Sequence, residues 1–169
     1  MTKVFQGGSK SSEDAFGRFL FWGLALIWMA VIFAFSSQAN SGAYTEAYLQ
    51  EANVPVRKLA HMFEFAVLAV LYQTALARSI TKANGQAKSK FKHYCLAFVL
   101  AVLYALSDEW HQSFVPGRSS SLLDSGVDSI GALIGLTTVY WLRRFFAIAQ
   151  EQEQEQEQEQ EQKRKQERQ

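Results

Sequence analysis

The chain has 169 residues, 17 of them basic and 16 acidic, and its formal charge of +1 gives no electrostatic footprint for nucleic acid. Its hydrophobic content of 49% resembles that of a soluble domain, but roughly the last 20 residues are almost wholly polar, so the rest is far more apolar than the mean. The single Cys95 excludes an intramolecular disulfide, and no second thiol accompanies it as a metal ligand.

Residues 1–15 are polar, carry Lys3 and Lys10, and read as a mobile cytoplasmic leader. Phe19 to Phe35 follow as seventeen residues without a charge, near the lower limit for a spanning helix, with Arg18 placed to snorkel at its inner end. A cleaved signal peptide is the competing reading, but Ser36-Ser37-Gln38 lacks a small-x-small cleavage site after so long an apolar run. Ser36 to Pro55 reads as a polar loop, with Pro55 just ahead of the next helix. Further segments run from Arg57 to Ala77, from about Tyr94 to Ser113 and from Asp124 to Leu142. The mostly apolar part of each is only about thirteen residues, whereas a spanning helix needs about 20. Each therefore reaches spanning length only by including a polar end, which predicts that the acids and histidines there lie within helices and not in free loops.

Lys and Arg concentrate in the leader, in the Arg78–Lys92 loop and after Leu142. That distribution predicts a multi-pass protein of the cell (inner) membrane with both termini in the cytoplasm. The fold class is then all-α: four transmembrane helices over residues 16–146, with a polar cluster on the external side. Residues 147–169, built on an alternating Glu-Gln run, have no apolar face to bury and read as a low-complexity cytoplasmic tail, disordered or loosely helical.

Helical spacing groups the chemistry. Arg57, His61 and Glu64 fall on one face, with Lys58 at its edge. Tyr104, Ser107, Asp108 and His111 share another, with Gln112 at its border and Glu109 turned away. Asp124, Asp128, Gly131 and Gly135 form a stripe whose Gly-x-x-x-Gly spacing lets helix backbones approach closely. Arg57, Lys58, Trp110 and Arg118 also suit simple anchoring at the interface. Glu64 and Asp128 lie one or two turns inside their helix ends, where an unpaired acid costs roughly a few kcal/mol. A structural ion network would remove that cost; so would a functional site.

These residues, taken in order, resemble the VanZ-like family: Lys58-x-x-His61-x-x-Glu64, then Asp108-Glu109-x-x-Gln112-x-Phe114-x-Pro116-Gly117-Arg118, then Asp124-x-x-x-Asp128 with Gly131 and Gly135. The likeness covers about Phe19 to Leu142 and leaves out the tail. The family's name-bearing member is linked to low-level resistance to teicoplanin-type glycopeptides, so the resemblance implies a role at the outer face of the cell membrane, in the cell envelope. One departure is Asp128, where the family pattern often has Asn, so a role at 128 that needs a charge does not follow from the resemblance.

Several functions fit. An enzyme acting on an envelope lipid or lipid-linked cell-wall precursor would draw its acid and base from His61, Glu64, Asp108, Glu109, His111 and Asp128. Lys58, Gln112, Arg118 and Asp124 would bind substrate, the two cations by holding a phosphate or a developing anion. Ser119, Ser120 and Ser121 have no base at fixed spacing, which favours activated water over a covalent intermediate. A Zn²⁺ version would need ligands from three helices without a His-Glu-x-x-His motif, so no metal or other cofactor is assigned. A non-catalytic lipid or antibiotic sensor uses the same residues for recognition alone. A transporter lacks an evident internal repeat, although a homo-oligomer is compatible with the sequence.

Overall fold

The computed structural model describes residues 7–40, 45, 48–80, 90–118 and 121–167. Among them there is no strand. Four helices are long and apolar enough to cross a membrane: α1 (Gly7–Ser36), α2 (Asn53–Ile80), α3 (Lys90–Gln112) and α4 (Leu122–Glu167). The protein is an all-α, multi-pass membrane protein. It forms two units, Met1–Leu136 and Thr137–Gln169, and α4 contributes to both.

The first unit buries small and polar residues and exposes large apolar ones. Phe19, Leu26, Ile27, Phe63, Leu103 and Leu133 are exposed, while Asp108, Glu109, Gln112 and Asp128 are buried. Water would penalise that distribution, and a hydrocarbon surround favours it. Ala25 and Ile32 of α1, Phe65, Leu68, Ala69, Tyr72 and Leu76 of α2, Ala97, Ala101 and Ala105 of α3, and Ala132 and Leu136 of α4 make the core. The alanine stripe at i, i+4 spacing keeps α3 close to its neighbours.

The glycine stripe of α4 packs against the backbone of α2. A Cβ added at Gly131 would strike Met62, and one at Gly135 would strike Ala66, in both cases at backbone atoms. The spacing predicted a close approach, and the structure names the partner helix.

The boundaries differ from the sequence reading at most helix ends, and two of the differences matter for the bundle. α1 begins at Gly7, inside the stretch that composition assigns to a leader. Pro55 does not precede α2 but sits in its first turn, where the missing N–H has no intrahelical acceptor to lose. The first apolar segment is also an integral part of the bundle. Tyr104 donates its hydroxyl to the Met29 carbonyl at 2.6 Å, and Trp28 Nε1 donates to the Glu64 carbonyl at 2.9 Å.

In the second unit the polar repeat continues as helix to Glu167, and Lys165 pairs with Glu161 at 2.6 Å one turn away. Exposed i, i+4 pairs of this kind contribute little to stability, too little to dock a tail. Truncation after Ala149 is therefore expected to leave membrane insertion and the detergent melting temperature unchanged. A fall in melting temperature on truncation would show that the repeat packs on something.

Candidate functional site

Each inward stripe of the first unit changes from apolar to polar toward the same end. On α3 the run Ala97, Ala101, Ala105 continues into Asp108 and Gln112. On α2, Phe65 gives way to His61 and then to Lys58 and Arg57 toward the N-terminus. On α4, Gly131 gives way to Asp128 and Asp124. Side chains at i and i+4 stack on one helical face, so a stripe apolar at one end and polar at the other concentrates the charges in one layer.

That layer encloses a cavity of about 150 Å³. Its lining includes Arg57, Lys58 and His61 from α2, Glu109 and Gln112 from α3, Arg118 from the following turn, and Asp124 and Asp128 from α4. Lys58 Nζ lies 2.7 Å from Asp124 Oδ1, a partly exposed pair that joins α2 to α4. Glu109 Oε2 accepts the Ser121 N–H at 2.8 Å, tying α3 to the start of α4.

Behind the cavity wall runs a hydrogen-bonded relay. Asp108 Oδ2 accepts from Ser36 Oγ at 2.8 Å and from Gln112 Nε2 at 2.7 Å. Gln112 Oε1 accepts from one Arg118 nitrogen at 3.2 Å, and another donates to the Phe35 carbonyl at 2.6 Å. The turn that carries Arg118 depends on Gly117, whose φ of 74° lies in the left-handed region. A Cβ there would also meet Asn40, whose N–H donates to the Pro116 carbonyl at 3.1 Å. Burial lowers the affinity of the Arg118 guanidinium for its proton, and the like charge of Arg57 adds to this, while Asp108, Glu109 and Glu64 oppose it. A guanidinium starts so far above neutrality that it stays charged.

Of the ten candidate residues read from the sequence, Lys58, His61, Glu109, Gln112, Arg118, Asp124 and Asp128 line the cavity; Glu64, Asp108 and His111 do not. Glu64 Oε2 stands 3.5 Å from His61 Nδ1, an electrostatic contact too long for a good hydrogen bond. Asp108 serves the relay. His111 turns to α1, with Nε2 at 3.0 Å from Ser37 Oγ and its ring 4.4 Å from that of Phe33. Two participants were not among the candidate residues. Arg57 shared a face with His61 and Glu64 but suited interfacial anchoring equally, and Ser36 looked like the first residue of a loop. The only sequence signal for Ser36 is a hydroxyl at the polar end of an apolar helix. No group of three or more His, Cys, Asp and Glu suited to a metal ion occurs among the described residues.

A family model described as VanZ/LLP1 matches residues 21–144, a span that contains every residue of the cavity. The chain belongs to the VanZ/LLP1 family. No curated protein and no solved structure matches it. Within this VanZ/LLP1 chain the matched span holds the apolar-to-polar stripes, the glycine contacts and the Gly117 turn, and it ends before the Glu-Gln repeat.

Proposed function

We propose that this VanZ-family protein binds the headgroup of an envelope lipid or lipid-linked cell-wall precursor at the outer face of the cell membrane. One observation carries the reading: a small cavity lined by both signs of charge, set in one end of a helix bundle whose outer faces are apolar. Charges at a membrane-embedded end are costly unless paired or used, and an amphiphile brings its own polar group to such a place while its chains stay among the exposed Phe and Leu side chains. Catalysis on the bound headgroup is the second reading. It is favoured by His61, an imidazole in the cavity wall beside carboxylates able to orient it.

Mass spectrometry of membrane lipids and cell-wall precursors, with and without the protein, tests both. Co-purification of an intact amphiphile supports binding, and a shift in the cellular pool of a modified species supports turnover. Neither result on repeated extraction would remove the proposal. A protein that occupies a precursor would also limit the access of a teicoplanin-type glycopeptide, which is read as a raised inhibitory concentration on expression.

The outward orientation of the cavity rests on the Lys/Arg bias, which supports a cytoplasmic position for the connection between α2 and α3 and for both termini. In a Cys95→Ser background, Ser119→Cys is expected to react with an impermeant thiol reagent in intact cells, and Ser89→Cys only after lysis. Both probe positions lie outside the described residues. The reverse labelling pattern would invert the topology.

A further inference from the structure

The charges in the cavity wall do not cancel one another. Lys58 and Asp124 pair, and Glu109 takes a backbone N–H through one oxygen. Glu109 keeps its charge without an ion pair, and Arg57, Arg118 and Asp128 remain to be accounted for. Among the described residues none of these three forms an ion pair; Arg57 and Asp128 have no hydrogen bond through their side chains, and Arg118 spends two nitrogens on neutral oxygens while its buried Nε has no partner. Asp128 is only 2% exposed and still lines the cavity. Two guanidinium groups thus share one wall system with a buried carboxylate, close enough for the arginines to repel, yet none of them meets its opposite. A purely structural network would close such pairs directly, because a buried carboxyl group such as that of Asp128 is costly without a hydrogen-bonding partner in either protonation state. Something of both signs belongs between them.

We propose that the cavity takes a phosphate group carrying a primary amine, with the phosphate held by Arg57 and Arg118 and the ammonium by Asp128. This rests on the headgroup-binding reading and narrows it to a chemical class. Planar guanidinium groups match phosphate oxygens through paired N–H donors, which a lysine ammonium cannot do. The wall contains no Phe, Tyr or Trp among the described residues. A quaternary ammonium is recognised by aromatic faces; a primary ammonium is recognised by hydrogen bonds to carboxylate oxygens. The volume also fits, since a cavity of about 150 Å³ takes a guest of roughly benzene size. That matches one compact headgroup.

Calorimetric titration of the full-length protein in neutral detergent tests this with four probes. These are dihexanoyl phosphatidylethanolamine, its phosphatidylcholine and phosphatidylglycerol counterparts, and free O-phosphoethanolamine. The ethanolamine lipid is expected to bind about tenfold or more tighter than the choline and glycerol lipids. Arg57→Gln is expected to weaken it by a similar factor, since charge-assisted hydrogen bonds are lost. Its melting temperature should stay at the wild-type value, because Arg57 makes no other described contact. Asp128→Asn is expected to erase the preference for ethanolamine over glycerol. Equal affinity for O-phosphoethanolamine would keep the phospho-amine chemistry and assign it to a soluble ligand. Equal binding of all three lipids, or wild-type affinity in Arg57→Gln, would overturn the proposal. If the failed probes are accompanied by an intact amphiphile of another class on the purified protein, the headgroup reading stands without it. If nothing co-purifies, both fall.

Discussion

Gly131→Leu and Gly135→Leu are expected to abolish the folded protein, whereas Gly126→Ala on the same helix is expected to leave it intact or slightly more stable. The contrast follows from what each new Cβ meets. At Gly131 and Gly135 it meets the carbonyl oxygen and Cα of Met62 and Ala66, which are backbone atoms that cannot swing away. Either α2 and α4 separate along this seam or one of them distorts. Overpacking a well-filled core typically costs about 1–3 kcal/mol, and a clash with backbone belongs at or above the top of that range. At Gly126 nothing lies within 4 Å, so the change adds helix propensity of up to about 1 kcal/mol. Size-exclusion profiles and melting in detergent for the three variants read the difference directly. Separation of α2 from α4 would also pull Lys58 and His61 away from Asp124 and Asp128, so any residual protein should have lost headgroup binding. A Gly131→Leu protein with wild-type melting would refute the close seam.

The Gly-x-x-x-Gly spacing was legible in the sequence because it is a property of one helix; the partner was not. The same division runs through the whole site. Apolar runs of about thirteen residues, too short to span alone, required that Asp108, Glu109, Asp124 and Asp128 lie inside helices, and they do. Helical periodicity also placed Tyr104, Asp108 and His111 on one face, and all three meet α1, through Met29, Ser36 and Ser37. Periodicity could not say which neighbour takes that face. The sequence reading therefore grouped His111 and Asp108 with the candidate chemistry, although the cavity lies on the side of α3 that carries Glu109 and Gln112. Glu109, which the helical wheel turned away from His111, is the residue that reaches the cavity. Arg57 was left open for a different reason: an arginine at a helix end has an ordinary use at the membrane interface, and only three-dimensional placement puts it in the same cavity wall as Arg118.

The relay around Asp108 gives the second large effect. Asp108→Ala is expected to destabilise the protein strongly, and Asp108→Asn only mildly. Both donors on this residue, Ser36 Oγ and Gln112 Nε2, converge on Oδ2. Alanine leaves the Ser36 hydroxyl without this acceptor in a buried place and Gln112 Nε2 with only the long 3.4 Å contact to Ser36 Oγ, and a buried donor left unsatisfied costs about 1–3 kcal/mol. It also frees Gln112, which anchors Arg118, which in turn holds the end of α1 through the Phe35 carbonyl. Asparagine keeps one carbonyl oxygen where Oδ2 stands and can accept both hydrogen bonds. Its amide replaces Oδ1, which has no partner in the native protein, so one unsatisfied atom is exchanged for another. Removing the charge from a residue only 3% exposed also lessens the desolvation penalty. Melting in detergent should therefore rank wild type and Asp108→Asn together, with Asp108→Ala well below. Ligand binding should follow the same order, since Asp108 positions Arg118 through Gln112 and does not itself line the cavity. A stable Asp108→Asn protein that binds its amphiphile but no longer changes the cellular pool of it would assign the carboxylate charge to chemistry and move Asp108 from a positioning role to a catalytic one.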